Sequence, residues 1–451
     1  VSAAREARRR SSGRVDYDVP DSFANLDEIA SVSPVQNPDE APVYRHESLE
    51  LVRSREQEYE RERRRRLLAG EVEPGSSPGR PGETEKPTAK ILVSRLATNI
   101  YTVSYLVFFA ILGTLARLGL QVLTTYPGAP VIFSSVWPNF AGSLVMGFLS
   151  EDRMLFRPDW GSADQGKTQP SSSRDEESGL GSDLDPAAAK KAHNALKKTI
   201  PLYIGLATGF CGSFTSFSSF IRDIFLAASN DLVSAPSRNG GDSFMAVCAV
   251  LITTVSLSIS GLFLGAHAAI ALEPFTPALP QLFTSKVLDR LAILLGLGCW
   301  MGAVILSVIP PDSSPSSPWR AVTFSLVFAP LGCLTRFTMS LWLNGKRASF
   351  PLGTFAVNVI GSAVLAMSWD LAHGLDGGGG IIGCQLLQGI EDGFCGCLTT
   401  VSTWVAELAS LQRRNAYIYG ITSVMISFAL MIAIMGGLRW SVGFGALVCN
   451  H

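Results

Sequence analysis

The sequence predicts an all-α integral membrane protein: two four-helix units in an inverted (antiparallel) repeat, joined by a single linker transmembrane helix, with nine spans and a cytoplasmic N-terminus. Three observations carry that prediction. Nine apolar segments reach the roughly 20 residues that a bilayer core needs. The basic residues between them fall on alternate sides, and three motifs recur in the same order in the two halves. The chain is 47% hydrophobic over 451 residues, and its formal net charge of −1 conceals strong segregation of charge.

Residues 1–98 are rich in Arg, Glu, Pro and Ser, with the run REQEYERERRRR at 55–66. They hold too little apolar side chain to offset the entropy of ordering, so a disordered cytoplasmic tail is expected. Glu interleaves the Arg of the run, and no nucleic-acid role is expected. The first unit covers 99–271, with spans at 99–124, 131–150, 200–227 and 243–271 and a polar cytoplasmic loop at 151–199. Residues 272–320 contain the linker span, 286–309. The second unit covers 321–440, with spans at 321–344, 351–372, 381–411 and 416–438, and 441–451 form a C-terminal tail.

A cytoplasmic N-terminus puts Lys90 and Arg95, the cluster in 151–199, Lys286 with Arg290, Lys346 with Arg347, and Arg413 with Arg414 all on the inner side. The outer loops at 125–130 and 370–380 then carry no Lys or Arg, as the positive-inside rule requires. Nine crossings leave the C-terminus outside.

The repeat is read from motifs. Gly113 and Arg117 in GTLAR are answered by Gly332 and Arg336 in GCLTR. WPNFAGS, with Asn139, Gly142 and Ser143, is answered by AVNVIGS, with Asn358, Gly361 and Ser362, 219 residues later in both cases. GFCGSFTSFSSF at 209–220 is answered by GFCGCLTTVSTW at 393–404, 184 residues later. Four helices return a chain to its starting side, so the single extra crossing inverts the second unit. Inverted repeats of this kind hold their sites near the midplane.

Glycines in the middle of a spanning segment weaken the helix. Unwound backbone at that depth is tolerated only inside protein or beside water. Carbonyls of Gly212 and Thr215, and of Gly396 and Thr399, are then suited to a small hard cation shared by the two halves. Phe217 and Phe220 share a helical face, and the positive edge of an aromatic ring can line an anion path; the second half has Val401 and Trp404 there. Asn139 and Asn358 are expected either to replace anion hydration or to bond between helices. Arg117 and Arg336 are expected to attract an anion or to bind carbonyls at a helix break. Tyr419, Ser423 and Ser427 form a hydroxyl stripe at i, i+4, i+8; Ser218, Ser402 and Thr403 of the ladders complete the candidate pathway.

The acids expected near membrane depth are Asp370 and the pair Glu391–Asp392, with none in the first four spans, and no nucleophile–base set or phosphate loop is present. An enzyme is therefore not expected. The eight cysteines lie almost wholly in apolar stretches; they read as buried small hydrophobes with no legible disulfide pairing.

GxxxR, then NxxGS, then GFCGxxTxxSxF in a four-helix unit resembles the fluoride channels of the Fluc/FEX type, CrcB-like proteins, over about 99–440, and the fused nine-span layout resembles their eukaryotic members. The resemblance implies an antiparallel pair of domains and passive, F⁻-selective conduction that exports fluoride from the cytosol. It implies a structural Na⁺ held by carbonyls of Gly212, Thr215, Gly396 and Thr399. Phe217 and Phe220 match the aromatic box, Asn139 and Asn358 the pore asparagine, and Tyr419, Ser423 and Ser427 the polar track. Val401 and Trp404 depart from the pattern, which points to one competent pore and one vestigial pore. A single chain supplies both domains, so a monomer in the plasma membrane is expected. Two alternatives are a proton-coupled anion or small dual-topology type transporter, which needs a cycling acid, and a non-transporting scaffold, which would depend on the polar tail.

Overall fold

The computed structural model describes residues 91–152, 154–156, 197–232, 239–276, 286–309, 317–374 and 379–449, with short pieces between 15 and 65. Residues 157–196, most of the loop expected at 151–199, lie outside the described residues, as does most of the 55–66 run. The fold is all-α apart from one parallel pair of three-residue strands, β1 (Val15–Tyr17) and β2 (Ile91–Val93).

Ten helices organise the body: α1 (Arg95–Thr124), α2 (Val136–Glu151), α3 (Phe217–Ala228), α4 (Gly240–Ala271), α5 (Lys286–Val308), α6 (Trp319–Leu343), α7 (Leu352–His373), α8 (Gly380–Gly389), α9 (Ser402–Ser410) and α10 (Arg413–Ser441). Seven helices among the described residues are long and apolar enough to cross a membrane: Arg95–Thr124, Pro201–Ala228, Gly240–Ala271, Val287–Val308, Trp319–Lys346, Leu352–His373 and Arg413–Ser441. The other two expected spans are the 16-residue α2 and the interrupted stretch from α8 to α9.

Local sequence explains where the helices begin and end. Asn239 and Asp242 exchange side-chain and backbone hydrogen bonds in a capping box that starts α4. At the C-terminus of α2 the buried Lys197 ammonium donates to the carbonyls of Leu149, Ser150 and Asp152, satisfying groups that a helix end leaves open. α2 and α4 meet backbone to backbone: a Cβ on Gly147 would sit 1.9 Å from Leu262 O, and one on Gly265 1.9 Å from Leu144 O. Only glycine permits that approach. The linker α5 lies against α1, where Tyr105 Oη is 3.2 Å from Asp289 Oδ1, and against α6, where the Trp300 indole donates to Val327 O at 2.9 Å. Its outer face, with Leu294, Leu297, Met301 and Ile305, is exposed, as a lipid-facing surface would be.

Two expectations need correction. Cys384 and Cys449 form a disulfide with Cα atoms 5.8 Å apart, tying the C-terminal segment to the start of α8. Their 65-residue separation has no local signature, so only tertiary contact reveals the pair. The tail expected to be disordered also has described residues packed on the body. Glu50 accepts from the backbone N–H of Gln412 at 2.9 Å and from Asn415 Nδ2 at 3.0 Å. Arg53 donates to Arg347 O and Ala348 O, and Phe23 meets Phe337 edge to face at 5.6 Å. These few contacts are long-range in sequence, which is why composition alone does not find them. The strap and the disulfide lie at opposite ends of α10.

Candidate ion pathway at the paired helix breaks

In each half an α-helix widens into a π turn, closes for three residues and breaks. The π turns are Gly205–Cys211 and Ile390–Cys395, and the breaks fall at Thr215 (φ −90°, ψ 155°) and Thr399 (φ −93°, ψ 153°). The asparagines hold the breaks open. Asn139 Oδ1 accepts from Ser216 N at 2.8 Å and its amide donates to Ser216 O, while Asn358 Oδ1 accepts from Thr400 N at 2.9 Å and its amide donates to Thr400 O. Those two N–H groups would otherwise have closed turns onto the carbonyls of Gly212 and Gly396. Of the two roles open to these amides, the structure assigns them to backbone at the breaks.

The halves cap each other. Thr215 Oγ1 donates to Cys211 O and accepts from Val401 N and Ser402 N at 3.2 and 3.1 Å, at the start of α9. Thr399 Oγ1 donates to Cys395 O and accepts from Ser218 N at 3.0 Å, at the start of α3. Each threonine thus serves as a helix cap for the opposite half. Ser402 Oγ donates to Cys211 O, Ser218 Oγ lies 3.0 Å from Thr399 Oγ1, and Thr403 turns back to Thr400.

Both arginines bind carbonyls at the breaks, also across the interface. Arg117 donates to Ser213 O in its own half and to Asp392 O in the other; Arg336 donates to Cys397 O at 2.9 Å and to Thr208 O at 2.6 Å. A Cβ on Gly212 would lie 2.3 Å from the Arg336 guanidinium, and one on Gly396 2.4 Å from that of Arg117. Here the motif glycines make room for a buried cation.

Beside the breaks Phe217 packs edge to face on Phe220 (5.7 Å) and on Trp404 of the other half (5.3 Å), all three buried. The Trp404 Nε1 has no hydrogen-bond partner among the described residues, and its ring edge at Cζ2 faces α10 at Gly420. The hydroxyl stripe of α10 is wholly buried: Tyr419 Oη donates to Glu407 Oε2 at 2.6 Å, Ser423 Oγ donates to Tyr419 O, and Ser427 Oγ has no partner among the described residues. Thr354 Oγ1 donates to the other Glu407 oxygen at 2.7 Å. The stripe therefore runs from the buried Glu407 carboxylate, past the Trp404 ring edge at Gly420, to Ser427.

Glu407 is a correction to the reading of the acids, and so is Asp223, which is buried in α3 and accepts from Ser135 N at 3.2 Å. Carrying the repeat offsets further finds both. Asp223 and Glu407 are 184 residues apart, and Ser135 and Thr354 are 219 apart. The first half lacks the tyrosine: on α4 the buried Thr254 and Ser258 repeat the i, i+4 spacing, and the position one turn earlier is Val250. Glu391 lies at the second π turn, 4.0 Å from Arg222 of the first half.

A family model for CrcB-like protein, Camphor Resistance (CrcB), matches residues 104–266 and 323–438, one match in each half. The chain belongs to the CrcB-like family. It is 60% identical to fluoride export protein 1 of Neurospora crassa over 98% of this chain and 87% of that protein. It is 35% identical to fluoride export protein 1 of Candida albicans over 80% of this chain and 85% of that one. A fluoride-specific ion channel, FluC 2 of Listeria monocytogenes, is 34% identical over 28% of this chain but 86% of its own length, the size of one repeat unit. No solved structure matches. For this CrcB-like chain the arginines, asparagines and threonines hold two breaks together, and buried rings and hydroxyls lie nearby.

Proposed function

We propose that this CrcB-like protein is a fluoride-selective passive channel that exports cytosolic F⁻ and so detoxifies the cell. The observation that carries the reading is the buried line Tyr419–Ser423–Ser427 on α10, with the Trp404 ring against the same helix at Gly420 and Phe217 packed on Trp404, in a chain 60% identical to a fluoride export protein. Hydroxyls and the positive ring edge replace hydration of a small anion without a fixed cation that would trap it. An inside-negative potential contributes about 2.3 kcal/mol per charge per 100 mV, so no pump is needed.

The layout proposed is nine spans in an inverted repeat, N-terminus inside and C-terminus outside, as a monomer in the plasma membrane. The Cys384–Cys449 pair supports that orientation, because disulfides persist on the oxidising side. One pore is competent and one vestigial. The glycine seam of Gly147 and Gly265 leaves no room between α2 and α4, whereas the second half keeps the tyrosine and its acid. A central Na⁺ would be held by carbonyls of Gly212, Thr215, Gly396 and Thr399. What supports it is that the asparagines remove the N–H partners of two of these oxygens, leaving neutral hard donors suited to a hard cation. Among the described residues no cluster of His, Cys, Asp or Glu competes for that role.

A second reading, proton-coupled transport, gains from the buried acids Asp223 and Glu407. The test is F⁻ efflux from liposomes holding the full chain, followed by electrode with Cl⁻ as control. A channel gives F⁻ flux set by voltage alone. Flux that requires a proton gradient supports coupling instead, and no F⁻ flux at all refutes both. Phe217→Ile should cut efflux at least tenfold, in the range aromatic anchors command. If Phe217→Ile left efflux intact while Val401→Ala abolished it, the competent pore would be the other one.

A further inference from the structure

The described pieces of the N-terminal tail reach the inner end of the hydroxyl track. Glu50, 8% exposed, is anchored at the N-terminus of α10 through Gln412 N and Asn415 Nδ2. One turn later Arg53, 5% exposed, donates to two carbonyls of the α6–α7 connection. That connection leads to Phe350, whose ring meets Tyr419 edge to face at 5.1 Å, and to Thr354, which like Tyr419 donates to Glu407. Other basic side chains at that end, Lys346, Arg347, Arg413 and Arg414, stay exposed.

The repeat says what such a charge is for. Glu407 accepts hydroxyl hydrogen bonds on both oxygens, the pattern of an acceptor-only carboxylate. A negative group at the mouth of an anion route repels the ion it must admit. In the first half the equivalent acid, Asp223, lies 3.7 Å from the guanidinium of the residue before it, Arg222. The residue before Glu407 is Ala406, so the second half has no cation in that position.

We propose that Arg53 of the N-terminal strap supplies the positive charge that offsets Glu407 at the cytoplasmic mouth of the fluoride route, with Glu50 as the anchor that holds it there. The proposal rests on the channel reading above. It makes the polar tail part of the conducting protein: Arg53 tunes anion entry, and Glu50 acts through it as a positioning residue.

The experiment is F⁻ efflux from liposomes with the full chain and with Arg53→Gln, Arg53→Lys, Glu50→Gln, and Arg53→Gln combined with Glu407→Gln. Melting temperature and gel filtration check the fold of each variant. Arg53→Gln should lower efflux on the order of tenfold, the lower end of what a focused charge does to ion entry. Arg53→Lys should keep most of the rate, and Glu50→Gln should lower it in the same direction as Arg53→Gln. The loss should shrink when Glu407 is already Gln, because the pair is coupled. Wild-type efflux from Arg53→Gln overturns the proposal, as does a loss that is unchanged in the Glu407→Gln background. Increased efflux overturns it in favour of a plug. Failure of the channel reading would look different: the unmodified chain would pass no F⁻.

Discussion

At the scale of single residues, the helix breaks depend on arginine and asparagine side chains that bond backbone. Arg336 joins Cys397 O of its own half to Thr208 O of the other. Hydrogen bonds from a charged donor contribute about 1.5–3 kcal/mol each, so Arg336→Met should cost about 3 kcal/mol or more, read as a lowered melting temperature in detergent. Gly212→Ala puts a Cβ within 2.3 Å of the same guanidinium and should be destabilising for the same reason. The two losses should not add: in the Arg336→Met background Gly212→Ala should be markedly milder. Additive losses would mean that the glycine serves something other than the arginine. Residue types and spacing were enough to mark these positions. Which of two roles each arginine and asparagine fills was not legible, because the partner carbonyls lie 42 to 275 residues away.

At the scale of elements, the asymmetry of the two halves is a matter of how helices pack. The α2–α4 seam closes on Gly147 and Gly265, with helix backbones in contact. A Gly265→Val side chain would drive the helices apart and should cost about 3 kcal/mol, at the upper end of the usual range for overpacking. Thermal unfolding checks this. Were Gly265→Val as stable as the parent, the closeness of α2 and α4 would be no barrier, and the argument for a vestigial first pore would fall. The sequence marks the glycines but not the seam. Small residues suit many helix contacts, and only the crossing of α2 and α4 selects these two.

At the scale of the whole molecule, the two tails fasten opposite ends of α10. The Cys384–Cys449 link closes a loop of 65 residues, for which chain entropy gives about 4 kcal/mol of stabilisation. Cys449→Ser should lower the melting temperature by several degrees, and a reducing agent should do the same to the parent but not to the variant. Labelling engineered cysteines at 90 and 346 from each side of the membrane checks the inverted layout. Both should react only from the cytoplasmic side, and opposite reactivity would refute the proposed topology.

The sequence by itself determined the all-helical membrane class of the protein and the motifs that pair its halves. Those features rest on periodicity and composition, which act locally along the chain. The tertiary structure alone decided which carbonyls the arginines hold, which threonine caps which helix, the disulfide, the docked strap and the partners of the buried acids. Each of these joins residues far apart in the chain, through contacts that exist only once the helices have packed. A repeat narrows that gap, since Asp223 and Glu407 could have been found by extending its offset one turn further. The strap has no counterpart in the other half, so no comparison within the chain could reveal it.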